Sequence, residues 1–168
     1  MAEAQISLMP GVAVSGNFAS LNDRHLTVSL LIANNTQKYL QILIVEPEPV
    51  AVDNRGNDYR FSNISGLNYC GKAASGCLLG RGYYGAHNHI VPIESFSMIS
   101  PNGTAILNYK FKLNKNSSNN PTIVSISSVA GARLIDDILE DEILSDEQRR
   151  RQFQTVSIGT PSLPLSTE

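Results

Sequence analysis

Two segments of this sequence alternate apolar and polar residues with a period of two, and this alternation constrains the fold more than any other feature. The apolar positions are Leu26, Val28, Leu30 and Ile32 in the first segment, and Leu107, Tyr109, Phe111 and Leu113 in the second. Residues at this spacing share one face of an extended strand. The opposite face of the second segment carries Asn108, Lys110 and Lys112. Each segment is therefore predicted to be a strand with one buried face.

Other β-type runs occur at 4–14, 39–45, 122–129 and 152–158, and turn residues separate them. Pro47 and Pro49 are expected to prevent the run 39–45 from continuing as a central strand. The residues around the Asp/Asn/Gly turn at 53–58 are expected to form a hairpin. Short strands separated by turns, without a βαβ rhythm, are typical of a sandwich. The sequence predicts one all-β domain over 1–168, an immunoglobulin-like β-sandwich of about seven strands.

The interval 133–151 departs from this pattern, because it is rich in acidic residues and ends with three arginines. Ser145 is followed three positions later by Gln148, which is a capping-box signature. A short helical insertion is therefore predicted near 133–151. The tail at 160–168, which contains Pro161 and Pro164, is predicted to be extended or loosely ordered.

Composition excludes several classes of protein. Hydrophobic residues make up 42% of the chain and charged residues 17%, below the usual fraction of about 25%. The formal charge of −2 gives no reason to expect a nucleic-acid partner. An apolar run of about 18 residues is absent, so no transmembrane segment is predicted. The start of the sequence has neither a basic nor an apolar region, so a signal peptide is not expected in it.

Three stretches, 27–35, 52–59 and 99–103 before the alternating strand, resemble a bacterial immunoglobulin-like domain of exported lipoproteins and cell-envelope proteins. The similarity covers residues 5–130 and consists of turn and strand order. It implies a sandwich in an extracytoplasmic setting, which is periplasmic, at the cell surface or secreted. The resemblance brings no catalytic residues.

Cys70 and Cys77 flank a Gly/Ala-rich loop that would let their Cα atoms approach the distance a disulfide needs. We expect a bridge between them if the protein is exported, and two thiols in a reducing cytosol. His87 and His89 would add two nitrogen ligands for zinc, but the spacing matches no zinc motif, and solvated loop histidines are the favoured interpretation.

The turn from Asp53 to Asp58 suggests a calcium loop, but the twelfth position of an EF-hand would be Ile64 instead of a bidentate Glu. A hairpin turn stabilised by Asp and Asn is favoured over a looser calcium site. The acidic cluster at 136–142 is more often a solvated or partner-facing surface than a cation site. No metal or cofactor is therefore predicted.

The stretch 66–98 is long, rich in glycine and aromatic residues, and contains both cysteines. Long connections in compact β domains are usually functional or disordered. Large rigid rings on a loop are suited to recognition, and the candidate binding residues are Tyr69, Arg81, Tyr83, Tyr84, His87 and His89. Together with 133–151, this loop is the expected interaction surface.

Three functions remain open. A serine nucleophile elbow is absent from the sequence, so we predict a non-enzyme, a binding or adhesion module of the bacterial envelope or extracellular space, with a protein or a surface glycan as partner. The alternative is a structural subunit that self-associates by strand addition through 1–10 or 160–168. The third is a metal-binding protein or metal-dependent enzyme that uses His87 and His89.

Overall fold

The computed structural model describes residues 5–67, 69–70, 97–114, 120–136, 153–160 and 162–167. Within these ranges the chain forms eleven strands. They are β1 (Gln5–Met9), β2 (Val12–Asn22), β3 (His25–Asn34), β4 (Tyr39–Asp53), β5 (Tyr59–Ser65), β6 (Tyr69–Cys70), β7 (Ser97–Ile99), β8 (Thr104–Leu113), β9 (Ile123–Ile135), β10 (Gln154–Gly159) and β11 (Leu163–Thr167).

The strands form two layers, which we call sheet A and sheet B. Sheet A has the order β5-β8-β3-β2, with β1 on the remaining edge of β2. In sheet B, β4 pairs with β9, the short β6 and β7 pair with β4, and β10 pairs with β9. Strand β11 joins the layers, because Leu163 and Pro164 pair with β9 while the next three residues pair with β2. The predicted all-β, immunoglobulin-like sandwich is confirmed, although the described residues form eleven strands and about seven are predicted.

The core lies between the two sheets and contains the alternating residues that the sequence identifies. Leu26, Val28, Leu30 and Ile32 of β3 have no exposed surface, and Leu107, Tyr109 and Phe111 of β8 are equally buried. Sheet B contributes Leu40, Ile42 and Ile44, together with Val124 and Ile126. Burying a side chain of this size stabilises a fold by about 1.5–3 kcal/mol.

Strand β4 continues through Pro47 and Pro49, but beyond them it pairs with β9 alone among the described residues, so it does not continue as a central strand. The β4–β9 register shifts between Val45 and Val50, and both prolines fall within the shift. A proline lacks an N–H donor and is tolerated in a sheet at a bulge. The irregularity accommodates the prolines, and pairing with β9 resumes at Val50.

The segment around 53–58 connects the two sheets, so the prediction of a hairpin is wrong. β4 pairs with β9 in sheet B, while β5 pairs with β8 in sheet A. The Asp53 carboxylate organises this crossing: Oδ1 accepts from the backbone N–H groups of Arg55 (2.8 Å) and Asn57 (3.2 Å). Its Oδ2 accepts from Asn57 Nδ2 and from the Tyr59 hydroxyl, both at 2.7 Å. The expected Asp/Asn-stabilised turn is therefore present, but it links two layers.

Burial raises the pKa of Asp53, but the hydrogen bonds from Tyr59, Arg55 and Asn57 outweigh burial and hold this pKa below its ordinary value of 3.8. Burial and the bond to Asp53 raise the pKa of the Tyr59 hydroxyl. The pair is thus held as a carboxylate that accepts from a neutral phenol. This charge-assisted bond fixes the start of β5 relative to the end of β4.

The two segments proposed for strand addition pair within their own chain. β1 lies against β2, and β11 lies between β2 and β9. Residues 133–135 of the predicted helical insertion belong to β9, and 137–152 lie outside the described residues, so the insertion stays a prediction there. In the described part of the chain, no helix has the length and apolar character needed to cross a membrane.

Candidate binding face

The outer face of sheet A carries a row of basic side chains that come from three neighbouring strands. His25 of β3 is the register partner of Lys112 of β8, and Lys112 is the register partner of Arg60 of β5. All three side chains are exposed. Directly opposed residues in an antiparallel pair lie about 4.5–5.5 Å apart at Cβ, so the row is about 10 Å long.

A fourth basic residue extends this row along β8. Lys110 is exposed and lies two residues before Lys112, on the same face of the strand. Its register partners are Thr27 on β3 and Asn63 on β5. We call His25, Arg60, Lys110 and Lys112 the basic face.

The hairpin between β2 and β3 places His25 at the end of the row. Its two turn residues, Asp23 and Arg24, have φ values of 48° and 70°, and two such residues fit the tight turn that joins twisted antiparallel strands. The Arg24 guanidinium donates to the carbonyl of Leu113 at 2.5 Å, and the Leu113 N–H donates to the Arg24 carbonyl at 2.8 Å. These bonds tie the turn to the end of β8 and keep β3 and β8 in register.

The basic face has no carboxylate partner among the described residues. Among the described residues, Lys38 forms an ion pair with Asp136 at 3.6 Å. This pair lies at the end of β3 opposite to His25. Asp58 lies near the row but accepts a bond from Asn114 Nδ2 at 2.5 Å. Like charges directly opposite each other destabilise a sheet. The fold therefore holds together Arg60, Lys110 and Lys112, which are cations that repel one another, and this geometry favours an anionic ligand.

The rest of the outer face is polar near the cations and apolar farther away. Asn63, Asn108 and Ser65 continue it along β5 and β8. Phe18 and Ile106, each 50% exposed, lie in rows nearer the other end of the sheet. A ligand on the basic face therefore meets cations, amides and hydroxyls.

A different cation, Arg133, is structural. It is 2% exposed on β9, and its Nε donates to Gln41 Oε1 at 2.5 Å. Its guanidinium lies 4.6 Å from the centre of the Phe153 ring, within the range of a cation–π interaction. This arginine anchors Phe153 against sheet B, whereas the four residues of the basic face are exposed to solvent.

Of the binding residues expected from sequence, Tyr69 is the one that the structure describes. Tyr69 lies in β6, partly buried, and its ring packs edge-to-face on Phe61 at 5.3 Å between centroids. The other candidates, Arg81, Tyr83, Tyr84, His87 and His89, lie outside the described residues. Cys77 and the side chain of Cys70 do too, so the disulfide stays a prediction. Among the residues that are described, no cluster of three or more His, Cys, Asp or Glu has the geometry of a metal site.

Sequence reasoning finds half of the basic face. The alternation of β8 places Lys110 and Lys112 on its outer side. His25 and Arg60 join them only through the registers of β3 and β5 with β8, and these registers depend on contacts between residues distant in the chain. The signal in the sequence is the pair Lys110 and Lys112 at alternating positions of one strand, and it is weak.

Comparisons with known proteins leave the family open. No protein-family model matches the chain, and no curated protein matches it. Among solved structures, the yeast GGA1 GAE domain matches with 8% identity and a TM-score of 0.45, over 97% of this chain and 100% of that one. The GAE domain of GGA2p from Saccharomyces cerevisiae matches with 4% identity and a TM-score of 0.43, over 98% and 97%. These likenesses are too weak to assign a family or a function.

Proposed function

We propose that this protein is a non-catalytic binding module and that the basic face is its contact surface. The observation that carries the proposal is the row of His25, Lys112 and Arg60, extended by Lys110, without a carboxylate partner among the described residues. Such a cluster lowers the stability of the free protein. The negative charges of an anionic partner would offset the repulsion between these side chains and would be attracted to each of them.

The polar networks inside the sandwich support a rigid scaffold for that face. Asn34 is fully buried, and its Nδ2 donates to the carbonyls of Lys38 (2.8 Å), Ile99 (3.1 Å) and Ser100 (3.1 Å). Its Oδ1 accepts from the hydroxyl of Thr36 at 2.7 Å. These bonds fix the ends of β3 and β7. A binding surface on rigid strands loses little conformational entropy when the partner docks.

The finer setting is proposed from the sequence. We propose an extracytoplasmic module of the bacterial envelope, in which a Cys70–Cys77 bridge shapes the loop at 66–98 and Arg81, Tyr83 and Tyr84 form a second contact surface. Intact mass with and without reductant tests the bridge. A native mass lower by two hydrogens supports it, and equal masses contradict it.

A binding array tests the function. Purified surface polysaccharides and proteins are probed with the wild type, with Lys110→Gln/Lys112→Gln, and with Tyr83→Ser/Tyr84→Ser. The proposal expects the lysine variant to lose the signal while the bound ligand is recovered intact. A signal lost only in the tyrosine variant would place binding on the loop instead, and chemical conversion of the ligand would contradict a non-catalytic role.

A further inference from the structure

The two lysines of the basic face lie in the interior of sheet A, and Arg60 lies on its edge strand β5. Lys110 and Lys112 are on β8, which pairs with β3 on one side and with β5 on the other. The backbone N–H and C=O groups beneath these lysines are therefore used in the two ladders. A partner that docks on β8 is recognised by side chains alone.

We propose that this partner is an acidic polysaccharide, held through its carboxylate or sulfate groups. The inference rests on the proposed function, because it names the ligand of the same surface. Arg60 and the two lysines would donate charge-assisted hydrogen bonds to the anionic groups. The exposed amide of Asn63, beside Lys110, would bond to sugar hydroxyls.

The position of Lys110 and Lys112 argues against an extended acidic peptide that is added as a strand. Peptides that bind to sheets typically add a strand at an open edge and obtain much of their affinity from main-chain hydrogen bonds. The β8 backbone offers no such edge. Among the described residues the free edge on this side of sheet A is β5, so a strand added there would be separated from both lysines by β5. A polysaccharide needs no open edge, because its hydroxyl and acidic groups project from the sides of the chain.

The composition of the face argues against a protein surface as partner. Cores of protein interfaces are apolar and aromatic, and they are depleted in lysine. The basic face spans two cross-strand rows, which are His25–Lys112–Arg60 and Thr27–Lys110–Asn63. Its two lysines therefore have polar neighbours, and the exposed Phe18 and Ile106 lie outside both rows. Such a face suits a hydrated, charged polymer.

The same rows give little support for single-stranded nucleic acid. Proteins that bind it without sequence preference stack bases on aromatic side chains. Beside the lysines and Arg60, the rows hold Thr27, Asn63 and the imidazole of His25, without an exposed Phe or Tyr. Electrostatic attraction alone would then have to hold the polymer.

Calorimetric titration of the whole chain tests the inference with five probes. Heparin and alginate carry sulfates and carboxylates, dextran is the neutral glycan, and poly-L-glutamate and oligo-dT are polyanions of other classes. The test variant is Arg60→Gln/Lys112→Gln. The matched control is Lys38→Gln/Arg55→Gln, which removes the same charge from exposed positions elsewhere. Urea unfolding curves of both variants establish that each one folds.

We expect heparin or alginate to bind more tightly than the other three probes, and the test variant to raise Kd by about tenfold or more. The control variant is expected to bind as the wild type does. Equal affinity for poly-L-glutamate or oligo-dT would overturn the assignment of a glycan while leaving the basic face as a binding surface. Failure of both polysaccharides to bind, or an equal loss in the control variant, would overturn the inference, and the array described above then decides whether the proposed function also fails.

Discussion

The hydroxyl of Tyr109 and the hydroxyl of Ser128 lie 2.6 Å apart and form a hydrogen bond across the buried interior of the sandwich. Tyr109 is on β8 of sheet A and Ser128 is on β9 of sheet B. Burial raises the pKa of Tyr109 even though the bond to Ser128 opposes this shift, so the phenol stays neutral. The bond links the strand that carries both lysines of the basic face to the opposite layer.

Tyr109→Phe is expected to lower the free energy of unfolding by about 1–2 kcal/mol, because it leaves the Ser128 hydroxyl buried without this partner. Urea denaturation followed by fluorescence or circular dichroism measures the loss. Tyr109→Phe/Ser128→Ala is the control, since it removes both partners. The account expects the double variant to be at least as stable as the single one, and a clearly larger loss in the double variant would mean that the bond is not the important interaction.

Asp53→Asn is expected to destabilise the protein at pH 7 by about 1.5–3 kcal/mol, because charged acceptors make the stronger hydrogen bonds. The folded state holds the pKa of Asp53 below its ordinary value of 3.8. A lowered folded-state pKa contributes stability that is complete above the unfolded-state pKa and is lost as the pH falls through the folded-state pKa. The difference between variant and wild type should therefore shrink below about pH 4.

Urea unfolding at a series of pH values from neutral to acidic measures that difference. Asp23→Asn is the matched control, because Asp23 is exposed in the β2–β3 turn and asparagine tolerates its positive φ. A gap between Asp53→Asn and the wild type that stays constant on acidification would show that the carboxylate charge contributes nothing.

Leu163→Ala tests whether β11 belongs to its own chain. Leu163 is 9% exposed and its side chain packs against Gly16, so the substitution should lower the free energy of unfolding by about 2–3 kcal/mol. Pro164→Ala is the control at an exposed neighbouring position and should have little effect.

Sedimentation velocity should give the same mass for the wild type at all concentrations. Self-association that Leu163→Ala abolishes would instead favour strand addition between copies.

The sequence predicts those parts of the fold that depend on neighbouring residues. Alternation identifies β3 and β8 and their buried faces, because side-chain direction in a strand is a local property. The choice of partner strand is not local, and for this reason the sequence around Asp53 predicts a hairpin where the structure has a crossing between sheets. The same limit applies to the site. The sequence places Lys110 and Lys112 on one face of one strand, but His25 and Arg60 lie beside them because of the β3–β8 and β5–β8 registers, which the sequence does not predict.

Arg60→Gln/Lys112→Gln is expected to stabilise the free protein by about 0.2–1 kcal/mol, since it removes a pair of like charges directly opposed across two strands. Urea denaturation at low salt measures this gain. The gain should disappear in about 1 M NaCl, where the screening length falls to about 3 Å. A loss of stability at low salt would contradict the view that the basic face is maintained for a ligand at the cost of stability.

The most direct test of the central claim is the change in backbone amide chemical shifts when a heparin oligosaccharide is titrated into the isotope-labelled protein. The account predicts saturable changes centred on His25, Arg60, Lys110 and Lys112, with little change at Val50 and Val52 on sheet B. Changes confined to sheet B or to residues 71–96, or no saturable change at low salt, would contradict it.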